Sequence, residues 1–166
     1  MPVQKPLQRD SSNLSQDQTN ALQIQNQARE AANGISGAVS RPDLVWDPNL
    51  ANDAQNWANG LAAANNGLNH STGDQRPNEG ENLYWVSAGG QLADAAQAWV
   101  NEQSNYSGEK IGDGNFEGYG HYTQCIWPTT TAVGMASAVS SSGANFIVGR
   151  YSPPGNYTGT SAYTGQ

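Results

Sequence analysis

Apolar positions recur at intervals of three and four through the first two thirds of the chain. They then give way to short runs of β-branched and aromatic residues, which predicts helices first and a sheet last. Ser15 is placed to cap a helix from about Gln16 to Asn33, in which Ala21, Ile24, Ala28 and Ala31 form a narrow, alanine-rich stripe and Gly34 ends the helix. A second helix is marked by Asp47 as N-cap and Pro48 at the first helical position, where a missing N–H loses nothing. Leu50, Ala54, Trp57 and Leu61 make its buried face, and Asn65-Asn66-Gly67 closes it. The third helix runs from about Gln91 to Ser104 through Leu92, Ala95 and Trp99. Glu102 and Tyr106 keep its spacing, so a carboxylate lies on or at the edge of an apolar stripe. Such a charge costs free energy unless it reaches water at the margin or meets a cation, a metal or several donors.

Three strands follow, about His121 to Trp127, Ala132 to Val139 and Asn145 to Tyr151. The short links between them make neighbours antiparallel. The expected architecture is an α+β domain with helices packed on a three-stranded antiparallel sheet. Residues 1–14 read as a flexible arm, 15–157 as one domain and 158–166 as a tail. Between the third helix and the first strand, Ser107 to Tyr119 is a Gly- and Asp-rich loop of a length that is often functional.

With 36% hydrophobic residues, many of them alanine, the 166-residue chain is expected to form a single core of small-residue packing. A net charge of -7 argues against nucleic acid and against electrostatic attachment to an anionic membrane, both of which need a basic surface. No segment approaches the ~20 apolar residues of a membrane span. The one cysteine, Cys125, excludes an intrachain disulfide and reads as a buried apolar thiol about 13 Å along the strand from His121. The N-terminus lacks an apolar signal core, which fits either an intracellular protein or one whose signal has been removed.

The chain has two histidines, His70 just past the second helix and His121 at the head of the first strand. A lone histidine at a strand end is ordinarily a hydrogen-bonded structural residue, and a ligand role requires partners. Gly80-Glu81-Asn82-Leu83-Tyr84-Trp85 embeds a carboxylate beside aliphatic and aromatic residues.

Two stretches, Gly120-His121-Tyr122-Thr123-Gln124-Cys125-Ile126-Trp127 and Phe146-Ile147-Val148-Gly149-Arg150-Tyr151-Ser152-Pro153-Pro154-Gly155-Asn156-Tyr157, resemble the two signatures of the CAP superfamily. This group comprises cysteine-rich secretory proteins, insect venom antigens and plant pathogenesis-related class 1 proteins. Gly80-Glu81-Asn82-Leu83 and the Trp99, Glu102, Tyr106 pattern resemble its intervening blocks. The resemblance spans about Gln16 to Tyr157 and is to the disulfide-poor, fungal-like kind, with Gly149 where a cysteine usually stands and Cys125 where an aliphatic residue does.

The resemblance implies an α-β-α sandwich, its three-stranded antiparallel sheet lying between helical layers, and secretion. It further implies a central cleft holding His70, Glu81, Glu102 and His121. Two imidazoles with carboxylates and water suit a divalent cation, zinc above magnesium, with the glutamates either coordinating or hydrogen-bonding the rings. Some relatives bind sterols through aromatics in a loop before the first signature, which places Tyr106, Phe116 and Tyr119 in a lipid site. The expected protein is a secreted, monomeric, non-enzymatic binder of sterol or a fatty-acid-like lipid. The alternatives are a metal-dependent, protease-like hydrolase with Glu81 or Glu102 as general base, and a precursor of a C-terminal signalling peptide in which Ala162 replaces the usual proline.

Overall fold

The computed structural model describes residues 13–166, so most of the expected arm at 1–14 lies outside the described residues. Helix α1, Gln16–Asn33, opens on a reciprocal cap: Gln18 N–H donates to Ser15 Oγ at 3.1 Å, and Ser15 N–H donates to Gln18 Oε1 at 2.9 Å. Its buried face is Ala21, Gln25, Arg29 and Ala32. The expected apolar stripe is therefore rotated, and two long polar side chains point inward. They fit because both are bonded. Arg29 donates to the carbonyls of Pro42, Cys125, Trp127 and Thr130 at 2.8 to 3.0 Å, and Gln25 Oε1 accepts from Tyr151.

Strand β1 is the pair Val45–Trp46, and helix α2, Pro48–Ala64, follows with Asp47 accepting from Asn49 N–H at 2.8 Å. Asn65 ends α2 in the left-handed conformation, φ 45°. Strand β2 is Gly80–Val86, α3 is Leu92–Asn101, α4 is Phe116–Cys125, β3 is Ala132–Val139 and β4 is Asn145–Ser152. The sheet order is β1-β3-β4-β2, with β1 parallel to β3 and the other pairs antiparallel. The sheet is therefore four-stranded and mixed rather than three-stranded and antiparallel.

Alternation along β4 sends Phe146 and Val148 to one face and Ile147 and Tyr151 to the other. The first face, with Leu83 and Ala136, packs on Ala54, Ala58, Leu61 and Ala62 of α2. A Cβ at Gly134 would collide with the backbone of Leu50 and Ala51, so that glycine lets α2 lie directly on β3. The second face, with Val133 and Met135, packs on Ala21 of α1, on Leu92, Ala95, Ala96 and Trp99 of α3, and on Cys125 of α4. A third cluster joins Tyr106, Ile111, Tyr119, Tyr122, Ile126, Trp127, Ala162 and Tyr163, so the segment expected as a tail contributes to the core.

The stretch His121 to Trp127, expected as the first strand, is instead the last turns of α4 and its exit. The buried residues Tyr119, Tyr122, Thr123 and Ile126 follow the helical spacing of three and four, which the β-forming residue types and two glycines disguise. Cys125 thus lies one helical turn from His121, about 6 Å along the axis, and not at strand distance.

Candidate functional site

His70, Glu81 and His121 line a cleft of about 650 Å³, and each histidine is paired with a glutamate. His70 sits on the extended segment after α2, and Ser71 beside it turns its N–H and hydroxyl toward β2. Glu81 of β2 receives four bonds: His70 Nδ1 at 2.9 Å and Ser71 N–H at 2.9 Å on Oε1, Ser71 Oγ at 2.6 Å and Arg150 Nε at 2.8 Å on Oε2. Its acceptor capacity is full. Burial pushes this carboxyl up. The bonds from His70 and Ser71, with the Arg150 charge, more than offset that and hold it at about 2. The pairing is cross-strand, since Glu81 lies opposite Arg150 in the sheet.

In the second pair, Glu102 begins the short 3-10 turn Glu102–Asn105 that continues α3. Its Oε2 meets His121 Nδ1 at 2.7 Å, and its Oε1 accepts from His121 N–H at 2.9 Å and Tyr122 N–H at 3.1 Å. The expectation that a carboxylate at the stripe margin requires donors is met by backbone amides of α4. In both pairs the carboxylate accepts at Nδ1, which places a proton there, so that in the neutral ring the lone pair is on Nε2. The His70 side chain is 54% exposed and Glu81 behind it 1%, whereas His121 and Glu102 are closer, at 34% and 20%, so only Glu81 is sealed behind its ring.

The cleft floor is close-packed backbone. A Cβ at Gly80 would overlap Gln124 Oε1, and that oxygen accepts from Gly155 N–H at 3.0 Å. Asn82 Nδ2 donates to the His121 carbonyl at 3.0 Å and ties β2 to α4. Asn156, left-handed at φ 59°, donates to the Gly120 carbonyl and accepts from Thr123 Oγ1.

Of the three aromatics expected at a lipid site, Phe116 lines the cleft and is 41% exposed. Tyr106 and Tyr119 are buried in the third cluster, their hydroxyls donating to the carbonyls of Glu109 and Asp113 at 2.7 Å. The expected loop is thus replaced by a helix from residue 116 onward, and two of the three expected lipid-site rings lie in the core. Among the described residues, no three His, Cys, Asp or Glu side chains gather into a metal-ligating group. Cys125 is fully buried, and burial pushes its thiol up to about 12.

The family model for the cysteine-rich secretory protein family matches residues 13–151. The chain belongs to that family. It is similar to the pathogenesis-related protein PR-1 of Medicago truncatula, 41% identical over 144 residues covering 84% of this chain and 79% of that one. It is also similar to the human Golgi-associated plant pathogenesis-related protein 1, 34% identical over 134 residues covering 81% and 85% of the two chains. The crystal structure of NaASP2 with Zn2+ shares the fold, with a TM-score of 0.75 at 24% identity over 95% of this chain and 90% of that chain. Among the described residues of this family member, no helix is long and apolar enough to cross a membrane.

Sequence reasoning missed Ser71 and Arg150 as members of the site. The available signal was a charged residue inside the otherwise apolar run Phe146 to Tyr151, because a buried guanidinium requires a carboxylate partner.

Proposed function

We propose that this cysteine-rich secretory family protein is a secreted, defence-type binding protein. Its cleft takes an amphipathic lipid, with sterol the candidate class, beside a divalent cation held by His70 and His121. One observation carries the reading: two imidazoles line one cleft, each fixed through Nδ1 by a carboxylate, with Nε2 of the neutral ring left to ligate. Glu81 and Glu102 orient the rings. Glu81 has no acceptor capacity left for an ion, and the bonds on both carboxylates weigh against either as a general base. Neutral imidazole donors suit zinc better than magnesium, and water would complete the coordination. The relatives' pathogenesis-related names support the defence-type role, and the half-exposed Phe116 ring supplies an apolar wall for a flat ligand.

Zinc stoichiometry and cholesterol binding measured on the same proteins test both halves. The parent is expected to hold zinc and the His70→Ala/His121→Ala variant to hold none. Phe116→Ala is expected to weaken cholesterol binding about ten-fold, the order of one apolar ring contact. Equal zinc in both proteins sinks the cation site, and no sterol binding by the parent, or unchanged affinity in Phe116→Ala, sinks the lipid reading.

A further inference from the structure

The chain contains three Asn-Gly pairs, beginning at Asn33, Asn59 and Asn66. A glycine after asparagine has no side chain to obstruct its own nitrogen, so that nitrogen can close a five-membered ring on the asparagine side-chain carbonyl carbon. In a folded protein the closure requires that the glycine N–H and the asparagine side chain be free of hydrogen bonds and that the backbone be able to turn.

Two of the pairs are locked. Asn33 Oδ1 accepts from Arg41 N–H and Nε at 2.9 and 3.0 Å, its Nδ2 donates to the Arg41 carbonyl at 3.1 Å, and Gly34 N–H donates to the Ala31 carbonyl at 3.1 Å. Asn59 lies inside α2, where Gly60 N–H belongs to the helical ladder, and its Oδ1 accepts from Gln55 Nε2 at 2.9 Å. The third pair is unlike them. Asn66 and Gly67 are exposed, just beyond the left-handed Asn65 that ends α2. Among the described residues, neither the Asn66 side chain nor Gly67 N–H enters a hydrogen bond. Gly67 stands at φ 89°, with nothing within 4 Å of the place a Cβ would occupy.

We infer that Asn66 is a site of spontaneous deamidation that alters the segment delivering His70 to the cleft. The Gly67 nitrogen gives its proton to water and attacks Asn66 Cγ; the Cγ–Nδ2 bond breaks, and the nitrogen leaves as ammonia after taking up a proton. Water then opens the resulting succinimide at one of its two carbonyl carbons. Attack at Cγ leaves aspartate. Attack at the main-chain carbonyl carbon leaves isoaspartate, in which the chain runs through Cγ and the former main-chain carbonyl is a free carboxylate. That carbonyl is the one to which Asn69 Nδ2 donates at 3.1 Å. The Asn69 carbonyl in turn accepts Trp57 Nε1–H at 3.0 Å, and His70 follows directly. Either product adds a negative charge, and isoaspartate also lengthens the main chain by one carbon. The inference concerns the placement of His70 and holds whether or not the cleft takes a cation or a lipid.

Ageing the full chain in mildly alkaline buffer, folded and in denaturing urea, tests it by peptide mapping with tandem mass spectrometry, with isoaspartyl methyltransferase labelling to identify isoaspartate. In the folded sample Asn66 is expected to react about ten-fold faster than Asn33 and Asn59, each of which must first open a bonded turn. In urea all three are expected to react at similar rates. The purified isoaspartyl form is expected to show shifted His70 ring resonances while those of His121 stay still. Asn66→Gln, whose longer side chain closes its ring far more slowly, is expected to show neither change on ageing. An Asn66 that stays intact in the folded sample, equal folded rates at the three pairs, or an isoaspartyl form with unmoved His70 resonances overturns the inference.

Discussion

Glu81 shows how one residue joins the sheet to the cleft. Its four donors come from the segment after α2 and from β4, so the carboxylate that orients His70 also neutralises the buried Arg150. Because its folded pKa is depressed from 4.5 to about 2, the stability it contributes is fully present above the unfolded value. That contribution is lost as the pH falls through the window from about 4.5 to about 2. Urea denaturation at pH 6 and at pH 2.5 is expected to show this loss in the parent, and Glu81→Gln is expected to remove most of it. At pH 6 the same substitution should destabilise by about 3 kcal/mol, since it leaves a buried guanidinium without its closest carboxylate. An unchanged acid slope in Glu81→Gln would assign the acid loss to other carboxylates. The members of the two histidine–glutamate pairs, His70 with Glu81 and Glu102 with His121, could be named from the family resemblance of the motifs that carry them. Their bonding could not, because Ser71 and Arg150 act through a cross-strand register that only the folded sheet reveals.

At the scale of elements, α4 is where the sequence reading and the fold part company. Tyr122, Thr123, Ile126 and Trp127 are strand formers, and Gly118 and Gly120 weaken any helix, so local preference argues for a strand. Tertiary bonds override it. Glu102 takes the amides of His121 and Tyr122 from one side, and Arg29 takes the carbonyls of Cys125 and Trp127 at the C-terminal end, where a cation also suits the helix dipole. Strand β2 was hidden for the opposite reason: Glu81 and Asn82 are both buried, so the alternation that marks a half-exposed strand is absent. Helices α1 and α2 were legible because their caps are local, at Ser15 and Asp47. Arg29→Met retains much of the side-chain volume but strips donors from four carbonyls. It is expected to cost about 3 kcal/mol, with the desolvation saved on removing a buried charge limiting the loss. The discriminating readout is hydrogen exchange: amides of α4 should lose more protection than those of α2, and uniform loss would show that Arg29 does not act through α4.

At the scale of the whole molecule, three layers account for the helices and sheet, but the back of α4 is closed by the chain's last residues. Arg41 donates through Nη1 to the carbonyls of Ile126 and Ala162, at 2.7 and 2.8 Å, and through Nη2 to those of Val39 and Tyr163. Tyr163 packs edge-on against Tyr122, their hydroxyls 3.0 Å apart, and Ala162 N–H donates to Tyr106 Oη. The C-terminal segment therefore supports the helix that carries His121 and Phe116, and a peptide could be released from this end only by unpacking that cluster. Tyr163→Ala is expected to destabilise by about 3 kcal/mol, a drop in Tm of about 8 °C for a chain of this size. Ending the chain after Tyr157 also removes two of the carbonyls that hold the Arg41 guanidinium in its buried position, where desolvation already lowers its pKa. That loss is comparable with the roughly 5–15 kcal/mol net stability of a domain, so the shortened protein is expected to be largely unfolded at 37 °C by circular dichroism. A shortened chain that keeps the parent's Tm would show the segment to be dispensable and would restore the reading of it as a releasable peptide.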